Sequence, residues 1–525
     1  MEDLRQQIEK RRTFAIISHP DAGKTTLTEK FLLYGGAIQQ AGTVKGKKNS
    51  KHATSDWMEI EKQRGISVTS SVLQFNYQGY CINILDTPGH QDFSEDTYRT
   101  LMAADCAVMV IDASKGVEDQ TRKLFKVCTM RHIPIFTFIN KMDREARDPY
   151  ELMEEIEQEL GIETCPVNWP IGSGKRFAGV YERNDQEVVR FIPVDGGKKE
   201  VETEILKADD PKLKEYVEDE LYDKLQEDIE LLDMAGNEFS LEAVRAGKLS
   251  PVCFGSALTN FGIEPFLKHF LNMTTPRTAD GEVIDPYQEN FSAFVFKIQA
   301  NMNARHRDRM AFFRICSGKF EKGMEVYHYQ GKKKIKLNQS KQLMADERSE
   351  VNEAYAGDVI GVFDPGIFSI GDTITTGKKH FAFEGIPTFA PEHFAMIRNK
   401  DTMKRKQFVK GVEQIAKEGA IQIFTELGGG MEEIIVGVVG VLQFEVLEHR
   451  LKNEYNVEIH KSPLPYQYIR WVKEGTDLKS LNLSSDTRKV QDLKGQPLLL
   501  FTNDWGVRWA QDKNKGLELS EFSKN

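Results

Sequence analysis

Cysteine and long apolar runs are both scarce in this sequence. Six cysteines occur among 525 residues, and no two stand at C-x-x-C spacing, which argues against a disulfide framework and a cysteine-based zinc site. No apolar run approaches the roughly 20 residues that a membrane-spanning helix needs. The first residues, MEDLRQQIEKRR, are charged and lack the apolar core of a signal peptide. We therefore expect a cytoplasmic protein with no membrane partner.

The formal net charge of -10 is concentrated in one block of the chain. Residues 151–250 contain 26 Asp and Glu against 12 Lys and Arg, so the rest of the sequence has 58 basic and 54 acidic side chains. The net charge therefore does not argue against a nucleic-acid partner. The acidic block is either a solvated face or a docking surface. The basic run 332–336 is likewise either an RNA contact or a solvated hairpin tip.

Strand-like and helix-like segments alternate over the first 145 residues. Buried strands are predicted at 14–17, 81–85, 106–111 and 134–139, with a helix at about 117–131. Repetition of strand, helix and strand implies parallel pairing with right-handed crossovers, hence a three-layer α/β domain. The acidic block interrupts this pattern with predicted helices at 151–160 and 200–234, and the α/β pattern returns near residue 252.

The chain is expected to form three domains. Residues 1–278 would form the α/β domain, with a subdomain inserted at about 151–250. Residues 279–388 begin after a proline-marked linker and contain short strands with glycine turns, a pattern typical of a small β-barrel. Residues 389–525 mix predicted helices with strands, which indicates an α+β domain.

The junction between the first strand and the following helix has the pattern of a phosphate-binding loop. It reads Ser18-His19-Pro20-Asp21-Ala22-Gly23-Lys24-Thr25-Thr26 and matches G-x-x-x-x-G-K-[ST], except that Ser18 replaces the first glycine. Backbone N–H groups at such a turn point at phosphate oxygens. Gly23 permits close approach, Lys24 would contact the β- and γ-phosphates, and Thr25 would offer its hydroxyl to Mg²⁺. Taken alone, an ordinary strand–turn–helix remains an open alternative.

Three more segments follow predicted strands and would complete a nucleotide site: Asp86-Thr87-Pro88-Gly89-His90, Asn140-Lys141-Met142-Asp143 and Ser256-Ala257-Leu258. Asp86 can hold Mg²⁺ through water, and Gly89 can present its N–H to the γ-phosphate. The two acceptor oxygens of Asp143 match adjacent N–H donors of guanine, which adenine lacks. Each segment alone is equally well explained as a polar turn. In this order and register they predict a domain that binds GTP and GDP.

These segments resemble the nucleotide-binding motifs of the translational GTPases, in the branch that contains elongation factor G. The segment Arg64-Gly65-Ile66-Ser67-Val68-Thr69 is similar to the first switch of that branch. The most specific similarity is at 437–457, GVVGVLQFEVLEHRLKNEYNV, which resembles the peptide chain release factor three family. Segments 18–21 and 45–47 and the overall length resemble the same family. The resemblance therefore runs essentially from end to end, whereas elongation factor G is longer by about two domains.

The resemblance implies roles for individual residues. Thr69 would be the switch threonine that coordinates Mg²⁺ and senses the γ-phosphate. His90 would position the attacking water, and Lys24 would stabilise the transferring phosphoryl group. Asp21 matches a phosphate-loop aspartate that would help place a monovalent cation.

The family implies a GTPase that acts on the terminating ribosome and promotes dissociation of the release factors that read stop codons. Ribosomal RNA, ribosomal proteins and those release factors are the implied partners of a chain that we expect to be monomeric and not to bind DNA. One alternative is another elongation factor G-like GTPase, acting in translocation or on stalled ribosomes. Another is a non-ribosomal enzyme subunit with a GTPase switch, as in some sulfate-activating systems. Chain length and segment 437–457 favour the release factor family.

Overall fold

The computed structural model describes residues 4–38, 70–192, 202–274, 285–300, 309–337, 340–344, 347–378, 380–383, 385–386, 389–427, 433–473, 475–478 and 480–520.

The first part of the chain forms a mostly parallel sheet. In spatial order its strands are Ser71–Tyr77, Tyr80–Asp86, Arg11–Ser18, Cys106–Asp112, Ile135–Asn140, Leu249–Phe254 and Glu163–Pro166. The first two strands pair antiparallel, and the other neighbours pair in parallel.

Helices cover both faces of this sheet. They are Lys24–Tyr34, Ser94–Met102, Asp119–Met130, Pro149–Leu160 and Ile263–Met273, with a 3₁₀ turn at Gln91–Phe93. The short helix Leu4–Glu9 instead packs Ile8 into the core of the β unit formed by residues 285–378. Successive residues of a strand point to opposite faces. Met109 therefore joins the apolar cluster on one side, whereas Val108 and Val110 join the cluster on the other. Burial on both faces explains the continuous apolar runs, and it confirms the predicted strands and the helix at 117–131.

The acidic block contributes to two sheets. Glu163–Pro166 is the edge strand of the main sheet, parallel to Leu249–Phe254, so the range 151–250 contains elements of the main sheet as well as the inserted ones. The inserted antiparallel sheet consists of Asn168–Ile171, Gly179–Glu182, Glu187–Ile192 and Glu202–Lys207, accompanied by a 3₁₀ turn at Gly174–Arg176 and by helices Leu213–Tyr216, Asp219–Ala235 and Leu241–Arg245. The Trp169 ring lies 5.5 Å from the Phe254 ring, so the two sheets share one core.

The predicted helix at 200–234 is wrong in its first part. Glu202–Lys207 is a strand that pairs antiparallel with Glu187–Ile192, and the long helix begins only at Asp219, beyond Pro211. Glutamate and lysine favour helix formation in isolation. Here the available sheet edge and the burial of Leu206 against the common core outweigh that preference.

Residues 285–378 form an antiparallel β unit around a core of phenylalanine and aliphatic side chains. Across its larger sheet the strands are Lys333–Lys336, Glu325–His328, Thr373–Thr375, Ser292–Ala300, Arg309–Ser317, Val359–Phe363, Ser340–Met344 and Glu347–Glu350, and Lys319–Glu321 pairs with Glu353–Tyr355. The short strands predicted for this part of the chain are confirmed. The basic run 332–336 lies on an exposed hairpin arm.

The last part of the chain is an α+β unit. Across its sheet the strands are Ile459–Leu464, His393–Asn399, Ile434–Val438, Gln422–Glu426, Arg488–Gln491, Pro497–Phe501, Tyr468–Val472 and Leu519–Ser520. The helices are Arg405–Lys417, Leu442–Tyr455 and Asp504–Lys513, with a 3₁₀ turn at Thr402–Lys404. Within the ranges that the structure describes, no helix is both long and apolar enough to cross a membrane.

Candidate functional site

The four sequence-predicted segments converge at the carboxyl ends of the parallel strands. The phosphate-loop segment 18–26 follows strand Arg11–Ser18, 86–90 follows Tyr80–Asp86, 140–143 follows Ile135–Asn140, and 256–258 follows Leu249–Phe254. Ligands of open α/β sheets bind at this edge, beside the strand order reversal. Thr69 lies outside the described residues, as do segments 45–47 and 64–68.

The phosphate loop requires a glycine at its last position. Gly23 has a φ of 102°, in the left-handed region, and it ends the loop where helix Lys24–Tyr34 begins. A Cβ atom on Gly23 would lie 2.2 Å from Nδ2 of Asn140. Both the backbone conformation and the close contact therefore exclude a larger side chain. Asp21 also has a positive φ, 65°, and its side chain is exposed.

A buried ion pair occupies the centre of the site. Nζ of Lys24 lies 2.5 Å from Oδ1 of Asp86, and their side chains are 6% and 2% exposed. Lys24 begins the phosphate-loop helix, and Asp86 ends the neighbouring strand. Desolvation strengthens the field of both groups. The pair therefore places a cation and a carboxylate side by side, as phosphate and Mg²⁺ binding require.

The segment after Asp86 is anchored to the phosphate loop. The Thr87 hydroxyl donates a hydrogen bond of 2.6 Å to the Ile16 carbonyl. A Cβ on Gly89 would lie 3.6 Å from Cα of Pro20, so these two backbones are close. His90 keeps a third of its surface exposed, and its Nδ1 accepts a hydrogen bond of 3.2 Å from the N–H of residue 92. His90 is thus partly oriented and still accessible to water.

Asn140 connects the phosphate loop to the segment 256–258. Its Nδ2 donates to the Ala22 carbonyl at 2.8 Å, and its Oδ1 accepts from the Ala257 N–H at the same distance. Both halves of the amide are therefore used on backbone groups of two other segments. Sequence reasoning placed Asn140 among the nucleotide-binding residues, and the geometry gives it a bracing role within that site.

Asp143 lies beside the segment 256–258. Its Oδ1 accepts a hydrogen bond of 2.5 Å from the Ser256 hydroxyl, which fixes the carboxylate against the fourth segment. The hydroxyl of Ser256 in turn accepts from the N–H of Thr259 at 3.3 Å. A carboxylate with one oxygen fixed in this way keeps lone pairs free for further donors. Leu258, the last residue of that segment, is exposed beside it.

Sequence reasoning missed Asp112. Its carboxylate lies 2.6 Å from Nζ of Lys141. Burial opposes ionisation of Asp112, but hydrogen bonds from Lys141 and Ser114 outweigh it and hold the pKa of Asp112 below its usual value. Asp112 ends the strand that lies beside Asn140 in register. An acidic residue at a neighbouring strand end was the signal that could have identified it.

Sequence reasoning also missed Ser70, whose hydrogen bonds connect it to helix Ser94–Met102 and to the β unit. Asp96 accepts hydrogen bonds from the Ser70 N–H at 2.6 Å and from its hydroxyl at 2.5 Å, and the Thr100 hydroxyl donates to the Ser70 hydroxyl oxygen at 2.6 Å. The Ser70 carbonyl accepts from Nζ of Lys297 in the β unit. Ser70 directly follows the predicted switch threonine, and these contacts hold Ser70 to helix Ser94–Met102.

Three family models match consecutive parts of the chain. The elongation factor Tu GTP binding domain matches residues 9–276, elongation factor G domain 2 matches 290–377, and the C-terminal domain of class II release factor RF3 matches 383–511. This succession confirms the predicted fold class, a P-loop GTPase domain followed by a β-barrel and an α+β domain. A solved structure of a protein from Thermus thermophilus has the same fold, with a TM-score of 0.69 and 22% identity over 92% of this chain and 72% of that one.

Curated relatives match over nearly the whole chain. Peptide chain release factor 3 of Symbiobacterium thermophilum is 57% identical over 521 residues, which are 98% of both chains. The proteins of that name from Listeria innocua and Microcystis aeruginosa are 55% and 53% identical, over 99% and 98% of this chain and 99% and 95% of theirs. The chain thus belongs to the peptide chain release factor 3 family and is a GTPase of translation termination.

Proposed function

We propose that this protein hydrolyses GTP on the terminating ribosome and thereby promotes dissociation of the release factors that read stop codons. The observation that carries the proposal is the convergence of four nucleotide-binding segments in a chain that ends in a release factor C-terminal domain. Ribosomal RNA, ribosomal proteins and release factors are the proposed partners. We further propose that the protein works in the cytoplasm as a monomer, with neither membrane nor DNA as a partner.

The base and the phosphates occupy different parts of the site in this proposal. Asp143, fixed by the Ser256 hydroxyl, accepts the paired N–H donors of guanine, and the backbone of the segment 256–258 contacts the guanine O6. The phosphates lie on the N–H groups of the phosphate loop at the start of helix Lys24–Tyr34, where the helix dipole favours negative charge. When the nucleotide is bound, Lys24 contacts its phosphates, and the Asp86 carboxylate faces the metal site.

The residues around Asp86 fit Mg²⁺. The buried carboxylate of Asp86 and the Thr25 hydroxyl would offer the oxygen donors that this ion prefers, and Thr69 would add a third oxygen ligand. When bound, Mg²⁺ neutralises charge on the β- and γ-phosphates. The exposed Asp21, held in the left-handed region at the loop, is the proposed neighbour of a monovalent cation.

Phosphoryl transfer needs mainly positioning and charge stabilisation. Lys24 stabilises charge on the transferring group, and His90 orients the attacking water through its exposed ring edge. His90 needs no strongly basic character for this role. Release of the γ-phosphate frees the Gly89 N–H and the first switch, and the contacts of Ser70 and helix Ser94–Met102 transmit that change to the barrel and the last domain.

The proposal is tested by measuring GTP hydrolysis with and without terminated ribosomes. We expect ribosomes to stimulate the wild-type protein strongly, and His90→Ala to bind GTP with nearly unchanged affinity while losing about 10²-fold or more of the stimulated rate. Hydrolysis by the wild type that does not respond to ribosomes would contradict the ribosomal function. Loss of GTP binding in His90→Ala would instead contradict only the water-orienting role.

A further inference from the structure

Asp92 touches both His90 and the C-terminal domain. Its carboxylate is largely buried, with Oδ1 3.2 Å from Nδ1 of His90. The other oxygen, Oδ2, accepts a hydrogen bond of 2.8 Å from the N–H of Leu442, which is 350 residues away in the chain. One side chain therefore links the proposed water-orienting histidine to another domain.

The Asp92 carboxylate supplies a side-chain cap to a helix of the C-terminal domain that has none from its own N-cap residue. Leu442 begins helix Leu442–Tyr455, whose N-cap residue, Val441, makes no side-chain capping bond. The first N–H groups of a helix have no partner within it, and its dipole favours a negative charge there. Asp92 provides both the acceptor and the charge. The GTPase domain thus caps a helix of the C-terminal domain.

The surface that receives Asp92 is rigid. Oε1 of Gln443 accepts hydrogen bonds from the N–H groups of Val439 and Gly440, at 2.9 and 3.0 Å, and its Nε2 donates to the Ala420 carbonyl at 2.8 Å. The loop before the helix is therefore fixed by its own domain. A Cβ on Gly440 would lie 2.1 Å from Cγ of Asp92, so the carboxylate fits there only because residue 440 is glycine.

We propose that Asp92 is a positioning residue that makes the orientation of His90 depend on the seating of the C-terminal domain. When helix Leu442–Tyr455 is in place, its first N–H group holds the Asp92 carboxylate, and residue 92 holds Nδ1 of His90 through its N–H. When the domain moves away, the carboxylate loses this partner and His90 loses its fixed direction. The inference rests on the proposed role of His90 and adds the control of that role by domain docking.

Substitution of Asp92 separates positioning from nucleotide binding. In Asp92→Ala the maximal ribosome-stimulated rate should fall about 10- to 100-fold, because small displacements of an orienting group cost that much. KM for GTP should stay nearly constant, since Asp92 contacts none of the four nucleotide-binding segments except through His90. Asp92→Asn keeps an acceptor oxygen for the Leu442 N–H, and the backbone N–H of residue 92 still donates to Nδ1 of His90, so its rate should fall less than about threefold.

Two glycine variants provide a matched comparison at the same interface. Gly440→Ala pushes the Asp92 side chain away without removing a polar group, and it should reproduce the loss of rate in Asp92→Ala. Gly419→Ala disturbs the contact between helix Ser94–Met102 and the C-terminal domain, where the Gly419 carbonyl accepts from Arg99 at 3.2 Å. That contact does not reach His90, so this variant should keep its rate within about threefold of the wild type.

The outcomes distinguish the positioning role of Asp92 from the proposed ribosomal function on which it rests. Thermal unfolding and binding of a fluorescent GTP analogue establish which variants are folded. Wild-type protein that ribosomes fail to stimulate would overturn the proposed function. A stimulated wild type with unchanged rates in Asp92→Ala and Gly440→Ala would overturn only the positioning role. An equal loss in Gly419→Ala would also overturn it, because general loosening of the interface would then suffice.

Discussion

At the scale of single residues, side chains from one segment of the candidate site bond to backbone groups of the others. Asp143 and Lys24 stand where their motifs place them. The double hydrogen bond of Asn140 to Ala22 and Ala257 joins residues more than a hundred positions apart, and no local pattern encodes it. Asp112 escaped notice for the same reason, since only sheet register brings it beside Lys141.

Asp143→Asn tests how the base is recognised. An amide presents one acceptor and one donor, so it matches xanthine better than guanine. We expect the affinity for GDP to fall at least about 10²-fold and the affinity for xanthosine diphosphate to rise, as seen in competition with a fluorescent nucleotide. Ser256→Ala is the control, because it removes the hydrogen bond that fixes Asp143 without changing the carboxylate. Unchanged guanine preference in Asp143→Asn would contradict the assignment.

At the scale of elements, regular burial made some segments predictable and tertiary pairing made others unpredictable. The strands at 106–111 and 134–139 are almost entirely apolar because helices cover both of their faces. The strand Glu202–Lys207 has exposed acidic residues and helix-forming composition, and only its pairing with Glu187–Ile192 makes it a strand. The bounds proposed for the inserted subdomain depend on the same pairing, which sequence does not show.

The phosphate-loop helix carries a buried charge that lowers stability. Burial lowers the pKa of Lys30 from 10.5 to about 8, against the opposing effect of Glu29. The unfolded chain therefore holds this proton more tightly, so the cost of the charge is complete below about pH 8. Stability should rise between pH 8 and 10.5 as the folded lysine loses its proton.

Lys30→Met should remove that cost. We expect the free energy of unfolding to increase by about 1 to 2 kcal/mol near pH 7 and the gain to shrink towards pH 10.5, as measured by chemical denaturation at several pH values. Lys268→Met, at a half-exposed lysine of helix Ile263–Met273, is the control and should change stability little. A loss of stability in Lys30→Met at pH 7 would show that its charge is favourable.

At the scale of the whole molecule, buried ion pairs join the domains. Arg314 of the barrel pairs with Asp105 at 2.6 Å, and Arg11 of the first strand pairs with Asp358 of the barrel at 2.9 Å. The C-terminal domain contacts Asp92 of the 3₁₀ turn Gln91–Phe93 and Arg99 of helix Ser94–Met102. Ion pairs of this kind depend strongly on geometry, because breaking one leaves an uncompensated buried charge.

The order of domains was predictable, whereas their contacts were not. Composition and motifs indicated a GTPase domain, a barrel and an α+β domain, because each has its own periodicity and turn residues. The position of the net charge of -10 was also informative, since it lies in residues 151–250, which form the inserted sheet, its helices and one edge of the main sheet. Contacts such as Asp92 with Leu442 require the folded molecule.

The most direct measurement follows a fluorescently labelled stop-codon-reading release factor on ribosomes that have released their peptide. We expect this protein with GTP to accelerate dissociation of the labelled factor well above its spontaneous rate, and His90→Ala to allow at most a single round. A dissociation rate that stays at the spontaneous value when the protein and GTP are added would contradict the proposed function.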